Sequence, residues 1–170
     1  MSALSVWTYP HAGGARRLER TLTDGTLGDL AVADGAVVTW ARGRASAQVR
    51  ELQGVARTCN LGTAFWGMLF GIVVSGPELA TVGGARRPAL DDSLEGVGID
   101  RDTLIALRRR LRPGGSAVAV ICAEAVASAI ESVRPSVVID LPAAASDAGQ
   151  RTTRPLTEGQ EQALRRIFAS

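Results

Sequence analysis

Leu111-Arg112-Pro113-Gly114-Gly115-Ser116-Ala117-Val118-Ala119-Val120-Ile121-Cys122 is the stretch that decides the fold. Pro113-Gly114-Gly115 stops whatever helix precedes it. From Ser116 to Cys122 the residues are apolar at odd and even positions alike, as in a central strand covered on at least one side. Upstream, Asp100 can cap a helix over Arg101 to Leu111, with Leu104, Leu107 and Leu111 on one face. Arg108, Arg109, Arg110 and Arg112 crowd its last turn, where cations suit the helix dipole. Downstream, Ala123 to Val133 reads as a helix with Val126, Ile130 and Val133 on one face, and Val137 to Leu141 as a closing strand.

The first third of the chain shows the same alternation. Leu4 to Tyr9 carries Val, Trp, Thr and Tyr in a strand pattern. Pro10-His11-Ala12-Gly13-Gly14 is a loop, and Ala15 to Leu22 a helix with Leu18 and Leu22 one turn apart. Asp24-Gly25 ends it. Ala36 to Ala41 is a second strand, Gly43-Arg44 a tight turn, and Ala45 to Leu52 the other arm of a hairpin. Two strand–helix–strand units in one sheet predict an α+β, ferredoxin-like domain. A small α/β sandwich with another strand order is the alternative. The domain spans 1–141, with an apolar helical insertion at 58–88. A small-residue linker follows at 142–156. Thr157 and Gln160 then form a capping box for a C-terminal helix at 157–170, carrying Leu164, Ile167 and Phe168.

The chain has 170 residues, 46% of them hydrophobic and 21% charged, enough to bury one core. Its 19 basic residues are all arginine, and the balance against 17 acidic residues is +2. That balance is too small for a protein whose main partner is a nucleic acid. The Ala, Gly, Val and Arg bias suggests a GC-rich bacterial genome. Two cysteines, Cys59 and Cys122, exclude a disulfide framework. With His11 as the lone histidine they also cannot complete a structural zinc site within one chain. No metal or organic cofactor is expected. Met1 to Pro10 lacks the features of a signal peptide, so a cytoplasmic address is expected.

One segment breaks the pattern. Thr58 to Pro77 is free of charge, with Arg57 before it and Glu78 after it. On a helix, Thr63, Gly67, Gly71 and Ser75 form one smooth stripe, and Phe65, Trp66, Leu69, Phe70 and Val73 cover much of the rest. Interior glycine costs about 1 kcal/mol relative to alanine. A known compensation is close approach between helices. Three readings compete. A membrane span is disfavoured, because the dense apolar core from Leu61 to Val74 falls short of the roughly 20 residues required. A hairpin would turn at Ser75-Gly76-Pro77 and return over Leu79 to Ala85. A core helix of an ordinary domain is the plain alternative. The exposed hairpin, assembling or touching a membrane, is the preferred reading. Burial of Phe65, Trp66 and Phe70 within one chain would remove its motive.

The runs Asn60-Leu61-Gly62-Thr63-Ala64-Phe65-Trp66-Gly67-Met68-Leu69-Phe70-Gly71, Val97-Gly98-Ile99-Asp100 and Leu111 to Ala117 carry a resemblance. The chain resembles a bacterial family of domains of unknown function, often labelled membrane proteins on hydropathy, and the likeness extends over about Leu4 to Ser170. In that family the apolar segment is usually longer; here Arg86, Arg87 and Pro88 cut its second arm short. The resemblance implies no reaction, cofactor or catalytic residue.

Catalytic signals are poor. Gly13-Gly14 opens a helix bearing Arg16 and Arg17, but the phosphate-binding glycine motifs are missing. His11 has no visible nucleophile beside it. Asp91-Asp92 lacks the spaced oxygens of a hard-cation site. The sequence therefore points to a non-enzymatic, self-assembling domain. Its interface is expected at Thr63, Phe65, Trp66, Gly67, Phe70, Gly71 and Ser75, against other copies, a membrane surface, or both. Arg57, Arg86 and Arg87 are the expected lipid or anion contacts, at the inner face of the membrane. No nucleic-acid partner is expected, and no small-molecule substrate is identified. The alternative function is a soluble, ferredoxin-like regulator binding a small molecule or anion, with Gly13, Gly14 and Arg16 lining the site.

Overall fold

In the computed structural model, which describes residues 2–25, 27–28, 30–75, 99, 101–133 and 150–168, strand β6 (Ser116–Ala123) is the middle of a five-stranded sheet. β1 (Ser2–Tyr9) and β3 (Asp34–Thr39) flank it, both antiparallel, with registers Tyr9↔Ser116 and Thr39↔Ser116. Alternation then sorts its side chains. Val118, Val120 and Cys122 join one apolar cluster, and Ala117, Ala119 and Ile121 join the other. Covering on both faces is what an unbroken apolar strand requires.

With β4 (Gln48–Glu51) at one edge and β7 (Gln150–Leu156) at the other, the complete sheet runs β4-β3-β6-β1-β7, every pairing antiparallel. β4 forms the expected hairpin with β3, pairing Thr39 with Gln48. A short parallel pair, β2 (Ala31–Val32) with β5 (Ala56–Arg57), was not foreseen. Helix α1 (Ala12–Thr23) links β1 to β3 across the place of β6. α4 (Glu124–Val133) follows β6, and β7 lies beyond β1.

The last strand lies inside the stretch expected to be linker, while the expected strand Val137–Leu141 lies outside the described residues. β7 escapes an apolar-pattern search because it is an edge. Among its described side chains only Leu156 is fully buried, and Arg151, Thr152, Thr153 and Arg154 face water in part. Pro155, which has no N–H to give a ladder, is tolerated at an edge strand.

Each face of the sheet is covered by helices. α1 and α4 bury Ala15, Leu18, Leu22, Ala127 and Ile130 against Trp7, Tyr9 and Val37. The opposite face packs against α2 (Gly62–Ser75), α3 (Arg101–Arg110) and α5 (Glu158–Phe168). α3 buries Leu104 and Leu107 there, and Leu111 just beyond it. α5 begins with the expected capping box: Thr157 N–H donates to Gln160 Oε1 at 2.9 Å, and Gln160 N–H to Thr157 Oγ1 at 3.3 Å. Of the expected helical hairpin at 58–88, the described portion is its first arm, α2.

Candidate functional site

α2 has two unlike sides. Phe65, Trp66, Leu69, Phe70, Val73 and Val74 are buried in the chain's own core. Phe65 meets Trp66 edge-on at 4.8 Å between ring centroids and Phe168 of α5 at 5.0 Å. Such aromatic pairs add to simple area burial. Thr63, Ala64, Gly67, Gly71 and Ser75 are exposed, and Met68 and Ile72 are half-buried beside them. A Cβ placed on Gly67 or Gly71 would meet nothing within 4 Å.

The seven residues expected at a single interface therefore divide. Phe65, Trp66 and Phe70, at 0%, 0% and 1% exposure, are core residues and cannot face a partner in the folded chain. The physical reason is volume: aromatic rings fill the space over the sheet formed by Leu4, Val6, Ala36, Val38 and Ile121, where glycine and threonine would leave cavities. Thr63, Gly67, Gly71 and Ser75 remain together on the outer side, where no residue of α2 carries charge. No helix among the described residues is long and apolar enough to cross a membrane.

A carboxylate that sequence reading missed sets the start of α2. Asp34, the first residue of β3, is 0% exposed. Its Oδ2 accepts the Leu61 N–H at 2.6 Å and its Oδ1 the Gly35 N–H at 2.7 Å. Arg57 Nη1 stands 3.6 Å from Asp34 Oδ1 and 3.1 Å from Glu51 Oε2. Expected as a lipid or anion contact, Arg57 is thus occupied by two carboxylates of its own chain. A buried charge must be paired and hydrogen-bonded, and this one is both. The strand expected from the sequence begins at Ala36, and an isolated Asp-Gly offers no signal of such a role. Arg86 and Arg87 lie outside the described residues.

The glycine-bearing start of α1 is likewise built for packing. A Cβ on Gly14 would fall 2.3 Å from the Tyr9 ring, so only glycine lets the helix sit there. The Ser116 hydroxyl accepts the Ala15 N–H at 3.1 Å and donates to the His11 carbonyl at 2.7 Å. The hydroxyl that the fold brings to the His11 loop is thus engaged with backbone. Gly13, Gly14 and Arg16 are brought to one loop–helix junction, where Arg16 is exposed.

Both cysteines are free, Cys122 buried and Cys59 half-buried. Burial pushes the Cys122 thiol up to about 11 and moves Cys59 upward as well, which keeps both protonated and weakly nucleophilic at neutral pH. Among the described residues no group of three or more His, Cys, Asp or Glu side chains could hold a metal ion.

A family model described as "Protein of unknown function (DUF1269)" matches residues 60–169. The chain belongs to this family. The match takes in α2, α3, β6, α4, β7 and α5 but not β1, α1 or β3, so it is shorter than the Leu4 to Ser170 likeness expected from the sequence. The family's portion supplies the helical cover α2, α3 and α5 of one sheet face, while the sheet is completed by strands from outside the match. No curated protein and no solved structure matches the chain.

Proposed function

We propose that this chain is a non-enzymatic, self-assembling domain with a ferredoxin-like sheet, and that copies associate through the outer side of α2. Burial of Phe65, Trp66 and Phe70 in the chain's own core removes the aromatic motive for assembly, and a different observation carries the reading: α2 is a surface helix of 14 residues without a charge on its exposed side. A surface helix ordinarily turns charged residues to water, and one that is apolar all round is ordinarily buried all round. Here one side is buried by the chain's own sheet, and the other is a stripe of Thr63, Gly67, Gly71 and Ser75 edged by Met68 and Ile72. Open space at both glycines lets a second α2 come close along its length, gaining dispersion contacts that larger residues would prevent. The ferredoxin-like assignment rests on the order β3-β6-β1-β7 within the sheet, with β4 added at one edge.

The test is cross-linking between copies. In a Cys59→Ser background, which removes the half-buried native thiol, Gly67→Cys protein under mild oxidation is expected to form covalent dimers at micromolar concentration. Arg20→Cys, on the exposed side of α1, is the control for random collision. Dimer yields no higher at position 67 than at position 20 would remove the interface from α2.

A further inference from the structure

A second surface, far from α2 in sequence logic, concentrates charge. Past the Thr39↔Ser116 pair the chain forms two adjoining loops, 40–47 and 111–115. They are stitched together by Trp40 N–H to the Gly115 carbonyl at 3.0 Å and Gly114 N–H to the Trp40 carbonyl at 2.6 Å. Residues 40–47 and 107–115 hold six arginines and no aspartate or glutamate. Against a whole-chain balance of +2, these six leave −4 for all other residues. Arg110 is spent on β7, donating to the Arg151 carbonyl and Thr152 Oγ1. The other five, Arg42, Arg44, Arg108, Arg109 and Arg112, pair with no carboxylate among the described residues.

Several of these side chains are held in place. The Arg108 guanidinium lies 4.7 Å from the centroid of the Trp40 ring, and the Trp40 indole N–H is fixed by the Arg44 carbonyl at 2.8 Å. Arg108 Nη1 is buried and has no acceptor among the described residues. Arg112 Nε donates to the Arg109 carbonyl at 3.1 Å. Arg42 runs along Gly114, where a Cβ would stand 2.8 Å from its Nε. The C-terminal dipole of α3 accounts for cations on that helix. It does not account for Arg42 and Arg44, which a different loop brings to the same place.

We propose that Arg42, Arg108 and Arg112, with Arg44 and Arg109 beside them, bind a compact phosphate-bearing anion of the diphosphate class. Guanidinium forks match phosphoryl oxygens in pairs, and a cluster of them with no carboxylate partner among the described residues gives a local positive potential that draws an anion. The buried Arg108 Nη1, with no acceptor among the described residues, is a donor that such an anion would satisfy. The ligand is compact because the −4 carried elsewhere opposes a polyanion that extends beyond the patch. Trp40 is 4% exposed and lies under Arg108, so it offers no face for stacking a nucleic-acid base.

Titrating the full chain calorimetrically with inorganic pyrophosphate at fixed ionic strength tests this. Saturable binding is expected, at least tenfold weaker in Arg42→Gln and in Arg108→Gln, and within twofold of wild type in Arg20→Gln. Arg42 is exposed and its removal leaves the core intact, so its variant remains informative if Arg108→Gln folds poorly. The proposal is overturned if Arg42→Gln binds as wild type does, or if sulfate at equal ionic strength binds as tightly as pyrophosphate. It is also overturned if vesicles containing an anionic phospholipid bind through these arginines without being displaced by pyrophosphate. Tighter binding of a single-stranded oligonucleotide than of pyrophosphate would overturn it in favour of an extended polyanion.

Discussion

α1 and α2 cover opposite faces of one sheet and differ in what they show outward. α1 buries Leu18 and Leu22 beneath an outer side bearing Arg16, Arg17, Glu19 and Arg20. α2 buries Phe65, Trp66, Leu69 and Phe70 beneath an outer side of Thr63, Gly67, Gly71 and Ser75. Their starts differ too: a hydroxyl of Ser116 receives the Ala15 N–H of α1, whereas the buried Asp34 carboxylate receives the Leu61 N–H ahead of α2. Packing demands alone explain α1. They explain only half of α2, and the unexplained half is the proposed interface.

The largest expected effect is at the buried side of α2. Phe65→Ala is expected to cost about 3–5 kcal/mol in urea unfolding, the range for removing a core aromatic. A loss below about 1 kcal/mol would mean that this ring is not core. Next come the two anchors. Asp34→Ala leaves two buried N–H groups without an acceptor and should cost about 2–4 kcal/mol. Ser116→Ala should cost about 0.5–2 kcal/mol, the usual range for a lost helix-start hydroxyl. Equal losses would erase the difference between the two starts.

A smaller effect, opposite in sign, distinguishes the outer sides. Gly67→Ala and Gly71→Ala should each raise the stability of the monomer by about 0.5–1 kcal/mol, since alanine favours a helix and nothing stands in its way. Thermal melts in dilute solution check this, and a decrease would show that the glycines are needed inside one chain. Smallest at neutral pH is the thiol effect. Cys122 titrates near 9 when unfolded and at about 11 when folded. The stability it contributes is full below pH 9 and is lost as pH rises from there through about 11. Cys122→Ala should flatten that decline in pH-dependent melts, and an unchanged slope would show that the thiol does not contribute to it.

Much of the sheet was legible because burial leaves a mark on composition. Ser116 to Cys122 had to be interior, and Leu4 to Tyr9 and Ala36 to Ala41 flank it as β1 and β3. β7 left no such mark, because an edge strand of Arg and Thr is indistinguishable from linker by hydropathy. α2 was legible as a helix but not as to its orientation. With apolar residues all round, periodicity cannot say which side meets the core, and only the volume above the sheet places the rings inward. Asp34 and the grouping of Arg42 with Arg108 depend on strand register. Pairing Thr39 with Ser116 brings together loops nearly seventy residues apart, and no local pattern encodes that.

Sedimentation velocity of the wild type beside Gly67→Leu and Gly71→Leu tests whether copies associate through the outer side of α2. Both leucines would enter open space on the exposed side of α2, so the monomer keeps its fold, while a close helix–helix seam would be held apart. The wild type is expected to be oligomeric at micromolar concentration, and both variants monomeric with melting temperatures at or above the wild-type monomer. A monomeric wild type, or variants that sediment as the same oligomer, would contradict association through this side of α2.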